Sequence, residues 1–296
     1  MFALKTVLCP VDFSPATPRQ VDIAADLCRA FGAKLVLHHN KHSFGTGASI
    51  GWMWNADHRG QSQSSLEAKL QECLARVPVG VQAEAHMTEG PVSRAVLAVS
   101  EAFGADLIVL TAHGTLSDEH ASITAQMLER CSRDMLLLHE PRVESRTPQF
   151  ASKQQQVILV ATDAAPESRL AMELGFELAR ELPIDLHLLH LLPKSRRESD
   201  EDARNQLQAL VPRELADRAH VHIEHGDPAQ KIPTAADELS ASCIVMGELT
   251  RTPLRRWFGG ETSRSVLQHA HCPVWYVPAT RAPLPQAKDF SGIGRL

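Results

Sequence analysis

The sequence has little of what marks several large protein classes. Its six cysteines, Cys9, Cys28, Cys73, Cys131, Cys243 and Cys272, contain no C-x-x-C pair. That argues against a disulfide framework or a zinc knuckle and leaves reduced, mostly core thiols as the expectation. No apolar run reaches the ~20 residues of a membrane helix, and "MFALKTVLCPVDFSP" is interrupted by Pro10 and Asp12, too early for a secretion signal. A cytoplasmic protein without membrane contact is expected. Charge of neither sign dominates: 30 basic residues and a net charge of -5 give no polyanion footprint, so nucleic acid is not an expected partner. There is no G-x-S-x-G elbow, Walker lysine loop or H-E-x-x-H helix. No catalytic residue is assigned; His113, beside Gly114, reads as a loop hydrogen-bonding residue.

What is present is a soluble globular composition, 44% hydrophobic and 22% charged, over 296 residues, long enough for two domains. Fifteen histidines raise the question of metal. The best cluster, "HVHIEH", alternates along a strand, with His220 and His222 on one face and His225 on the other. These three do not converge, and no metal is expected.

The chain repeats itself. "TVLCPVDFSP" matches "VILVATDAAP", bringing Asp12 onto Asp163 and Pro15 onto Pro166. "EGPVSRAVLAVSEAFGADLIVLTAHG" aligns without gaps on "HGDPAQKIPTAADELSASCIVMGELT", so Gly90 meets Gly226 and Thr111 meets Gly247. "ITAQMLERCSRDMLLL" corresponds to "TSRSVLQHAHCPVWYV" once the first half loses three residues from the preceding loop.

Each half alternates apolar runs with segments of helical period, the pattern of βαβ units and a parallel sheet. Strands are expected near 5–11, 34–39, 80–86, 106–111 and 134–138, then near 156–161, 185–191, 220–225, 242–246 and 273–277. Helices are expected near 16–31, 63–76, 91–103 and 123–131, then near 167–181, 198–210, 228–240 and 262–270. The reading is α/β: two doubly wound domains over residues 1–141 and 155–279, five parallel strands each. A polar linker is expected at 142–154 and an extended or disordered tail at 280–296. An insertion at 41–62 carries Trp52, Met53 and Trp54, which need a surface to cover them.

"VLCPVDFSP", "EGPVSRAVLAVSEAFGADLIVLTAHG" and the ending "IVMG…GG…SRSVLQHAHCPVWYV" resemble the universal stress proteins in tandem two-domain form. The resemblance implies a flavodoxin-like fold with strand order 3-2-1-4-5, and a pseudo-two-fold pairing of the halves through their last strands. Nucleotide-binding members carry a loop of glycine, two residues, glycine, nine residues, glycine, then Ser or Thr. Such glycines admit backbone N–H groups to phosphate oxygens at a helix N-terminus. In "GELTRTPLRRWFGGETS", Gly247 and Gly260 keep the first and third glycine positions, while Thr250 replaces the second and Glu261 the hydroxyl. Thr262 and Ser263 follow with hydroxyls, and Arg251, Arg255 and Arg256 add guanidinium groups.

The candidate ATP or AMP site is therefore Asp163, Gly247, Thr250, Gly260, Thr262 and Ser263. The first half offers the poorer set Asp12, Gly114 and Ser122, with Asp118 and Glu119 where phosphates would lie. Glu261 at the helix mouth caps it from within, and Asp163 can serve as a turn residue. The resemblance implies a non-enzymatic stress-response sensor or regulator with a weakened nucleotide site in its second domain, slow ATP hydrolysis being the one activity kept open. The alternative is an interaction module using its sheet edges and the Trp52–Trp54 insertion, with protein partners and self-association.

Overall fold

The computed structural model describes residues 4–41, 62–112, 123–139, 148–163, 168–192, 199–247, 261–279 and 294–295. The chain divides into two compact units, Leu4–Arg133 with Ala282–Leu296, and Asp134–Arg281 with Met1–Ala3. The insertion with Trp52, Met53 and Trp54 lies outside the described residues.

In the first unit, strands β1 (Thr6–Pro10), β2 (Lys34–Lys41), β3 (Ala83–Glu89) and β4 (Leu107–Ala112) alternate with helices α1 (Thr17–Phe31), α2 (Gln63–Ala75), α3 (Val92–Ala102) and α4 (Ile123–Arg130). The strand order is β3-β2-β1-β4, with the β1–β2, β2–β3 and β1–β4 pairs all parallel. Val7, Leu8 and Cys9 of β1, and Leu107 to Leu110 of β4, are buried throughout, as a sheet covered on both faces requires. Helix α1 starts with proline in its first turn and stops at Gly32, whose φ of 66° lets its N–H reach the Cys28 carbonyl.

Strand β3 begins three residues later than its apolar pattern suggests. Residues 78–81 form a turn closed by Val81 N–H donating to Pro78 O (3.2 Å), with Gly80 at φ 98° and Val79 fully exposed. The tail, expected to be extended or disordered, contributes β11 (Gly294–Arg295), which pairs antiparallel with Met87 and His86. The edge of β3 offers unpaired backbone groups to such a segment, and pairing of this kind needs no apolar periodicity.

The second unit holds β5 (Asp134–His139), β6 (Gln156–Thr162), β7 (Ile184–Leu192), β8 (Ala219–His225), β9 (Cys243–Gly247) and β10 (Val274–Val277). Its helices are α5 (Arg169–Glu181), α6 (Asp200–Leu210), α7 (Pro228–Glu238) and α8 (Glu261–His269). The order β8-β7-β6-β9-β10 is 3-2-1-4-5 counted from β6, all parallel, and β5 adds antiparallel to β10. Ser199 caps α6 by accepting from Asp202 N–H (3.1 Å), and Asp227 caps α7 by accepting from Ala229 N–H (3.0 Å).

Two aromatic side chains tie the start of this unit to its core. Trp275, with no exposed surface, donates its indole N–H to Asp134 Oδ2 (3.2 Å) on β5. Phe150, from the segment read as polar linker, is buried and meets the Trp275 ring edge-on at 6.4 Å. One large apolar residue in a polar stretch outweighs its neighbours, because burying a phenylalanine is worth ~1.5–3 kcal/mol. All six cysteines are unbridged, five buried and Cys73 half-buried. Burial pushes the Cys28 thiol up to about 12, that of an inert core group.

Candidate functional site

In the first unit the carboxyl ends of the first and fourth strands border a crevice, the place where open α/β sheets bind ligands. In the first unit that crevice has a polar lining of Asp12, Gln20, His38, His39, Asn40 and Thr111, with Val92, Val96, Leu110 and Ile123 as its apolar side.

The buried side chain of Gln20 organises it. The β1–β4 pairing register runs only through Val7 and Leu8, and Pro10 has no N–H to continue a ladder. The Gln20 amide supplies the missing donors: Nε2 donates to Pro10 O (2.6 Å) and Val109 O (2.9 Å), while Oε1 accepts from the Thr111 hydroxyl (3.0 Å). One side chain thus satisfies backbone carbonyls of both strands where they part.

Asp12 serves the turn. Its Oδ1 accepts from Ser14 N–H (3.0 Å) and from the Thr17 hydroxyl (2.9 Å) at the start of α1. The next residue, Phe13, sits at φ 59° and stacks on the His39 ring at 4.2 Å. His39 Nδ1 donates to Val11 O (2.8 Å), fixing that nitrogen as the protonated one. Beside it, His38 shares a hydrogen bond of 2.7 Å with Thr88 Oγ1. Burial, with His39 and His86 as further causes, lowers the His38 pKa to about 3, so this ring is neutral at physiological pH.

The second unit repeats part of this arrangement. His190 Nδ1 donates to Thr162 O (3.0 Å), as His39 does to Val11 O, at the same spacing that carries Asp12 onto Asp163. The Thr162 and Ser168 hydroxyls lie 2.9 Å apart, and Asp163 follows half-buried. The same spacing brings Gln20 onto Ala171, and the buried faces of α1 and α5 match position by position from Gln20 to Cys28 and from Ala171 to Ala179. Thr111 matches Gly247, buried at the end of β9. Where the first unit has a glutamine and a threonine, the second has alanine and glycine. With Ala161 in place of Pro10, its β6–β9 pairing continues to Ala161 and Met246.

Of the residues read from sequence, the structure brings Asp163 and Gly247 to the ends of adjacent strands β6 and β9. Thr262 and Ser263 fall in the first turn of α8, after Glu261. Thr250, Gly260, Gly114 and Ser122 lie outside the described residues, as do Arg251, Arg255 and Arg256. Gln20, His39 and His190 were missed. The two histidines could have been found as a coincidence of the internal alignment; Gln20 was detectable only as a polar residue on the apolar face of α1.

The model of the universal stress protein family matches residues 3–139 and 155–278. The chain belongs to this family. The crystal structure of a universal stress protein from Archaeoglobus fulgidus aligns over 93% of this chain and 97% of its own at a TM-score of 0.71, with 18% identity, a likeness of fold. A universal stress protein of Methanocaldococcus jannaschii is 24% identical over 137 residues, covering 40% of this chain and 80% of its own. Universal stress protein E of Photorhabdus laumondii is 35% identical over 75 residues, 25% of this chain and only 24% of that relative's length. The two doubly wound units are thus flavodoxin-like universal stress folds in tandem. Among the described residues, no helix is long and apolar enough to cross a membrane.

Proposed function

We propose that the chain is a non-enzymatic stress-response regulator of the universal stress class, cytoplasmic, whose second half holds a weakened adenine-nucleotide site. The observation that carries this reading is the pair of small residues, Ala171 and Gly247, at the positions where Gln20 and Thr111 bridge the first unit's crevice. A glycine ending the fourth strand lets a ligand approach backbone N–H groups, and the N-terminus of α8 supplies a positive helix end. Asp163 stands at the end of the neighbouring strand, and Thr262 and Ser263 occupy the first turn of α8. The sequence puts a glutamate, Glu261, first in that helix in place of a hydroxyl, and a like charge there would weaken a phosphate site.

Isothermal titration with ATP and with AMP tests the assignment. Gly247→Thr, which installs the first half's residue, and Gly260→Asp are each expected to weaken binding at least tenfold. Wild-type affinity in both variants would refute the site. A phosphate-release assay on the same preparations is expected to show no turnover above buffer; release abolished by Gly260→Asp would establish hydrolysis instead.

A further inference from the structure

Away from the crevices, β7 and β8 bring three imidazoles onto one face of the second unit's sheet. In their parallel register His187 stands opposite His220, and Leu189 opposite His222. Residues two apart share a face, so His220 and His222 project together beside His187. The His187 ring lies 4.8 Å from the His220 ring and 5.0 Å from the His222 ring, centroid to centroid. His187 Nδ1 and His222 Nε2 share a hydrogen bond of 2.8 Å. His220 is exposed and the other two are half-buried, so this face opens to solvent. His225, whose ring hydrogen-bonds to Asp200 (2.8 Å), takes no part.

We propose that His187, His220 and His222 form a three-histidine site for a divalent transition-metal ion of the zinc, nickel or copper class. Two histidines at i and i+2 on one strand with a third on the adjacent strand place three imidazole donors on one patch, as a tris-histidine site needs. As the rings stand, two are hydrogen-bonded to each other, and among the described residues no three ligating groups converge on one point. Coordination requires the proton of that shared hydrogen bond to move to the other nitrogen of its own ring, and the rings to turn until the freed lone pairs meet at about 2.0–2.1 Å from the ion. No proton leaves the protein in that step. Water completes the coordination shell.

The charges around the patch balance, with Asp185 and Glu224 against Arg204 and Lys231. Asp185 shares its face with His187, and Glu224 with His222. Asp185 accepts from Gln155 Nε2 (2.7 Å), and Glu224 pairs with Lys231 at 3.1 Å. Arg204, held by Val221 O (2.6 Å), opposes them at His222.

Titration of the full chain with Zn²⁺, followed by calorimetry, tests the site. Wild type is expected to bind one equivalent that weakens at least tenfold in each of His187→Gln, His220→Gln and His222→Gln, and is unchanged in His225→Gln. Binding unchanged in the three variants, or no binding by wild type, would overturn the proposal. A second measurement needs no variant: diethyl pyrocarbonate labelling mapped by mass spectrometry should show Zn²⁺ protecting these three histidines in the wild-type chain. Equal labelling with and without Zn²⁺ would also overturn it.

Discussion

A single buried amide decides how the first crevice is closed. Gln20 bonds to two backbone carbonyls and one hydroxyl with almost no exposed surface. Its truncation leaves Pro10 O and Val109 O without that donor, and an unsatisfied buried group costs ~1–3 kcal/mol. Gln20→Ala is therefore expected to lower stability by about 2–3 kcal/mol, read as a shift in the denaturant midpoint. His38 sets a pH dependence nearby. Its folded pKa, about 3, lies below the ordinary imidazole value of 6.5, so the unfolded chain takes up a proton first as pH falls. The stabilisation is complete above about pH 6.5 and is lost toward pH 3, at up to about 1.4 kcal/mol per pH unit. His38→Gln should flatten the acid limb of the stability curve between pH 6 and pH 4; an unchanged limb would contradict the assignment.

Among elements, the strands and helices were legible because their signals are local. Apolar runs such as "CIVM" mark strands covered on both faces, and the matched buried positions of α1 and α5 repeat the period of one helix. Phe150, the pairing of Gly294–Arg295 and the bridge made by Gln20 were not legible, since each depends on a partner distant in sequence. Helix α5 carries a further test. Gly175 packs so close to β6 that an added Cβ would lie 2.6 Å from Val160 Cγ2, although the matching position of α1 is Ala24. The stiff valine cannot move away cheaply. Overpacking costs ~1–3 kcal/mol, against a gain of ~1 kcal/mol in helix propensity. Gly175→Ala is thus expected to be neutral to about 2 kcal/mol destabilising, and a clear rise in melting temperature would show the contact to be looser than drawn.

For the whole molecule, an internal repeat carries unlike residues at the ends of its matched strands. The tandem organisation followed from the repeat, and the family and strand order from the resemblance its motifs carry; the division between the halves did not. Sequence placed the stronger candidate in the second half from its loop glycines. The sheet shows a difference between the halves: the β1–β4 register stops at Leu8 and Gln20 with Thr111 bridges the strand ends, while the matching residues of the second unit are Ala171 and Gly247. If the halves differ as proposed, nucleotide should bind to one of them alone. The stoichiometry of ATP binding, measured by isothermal titration on nucleotide-stripped full-length chain, tests this most directly. The account predicts one equivalent per chain, lost in Gly260→Asp and kept in Gln20→Ala; two equivalents, or one that survives Gly260→Asp, would contradict it.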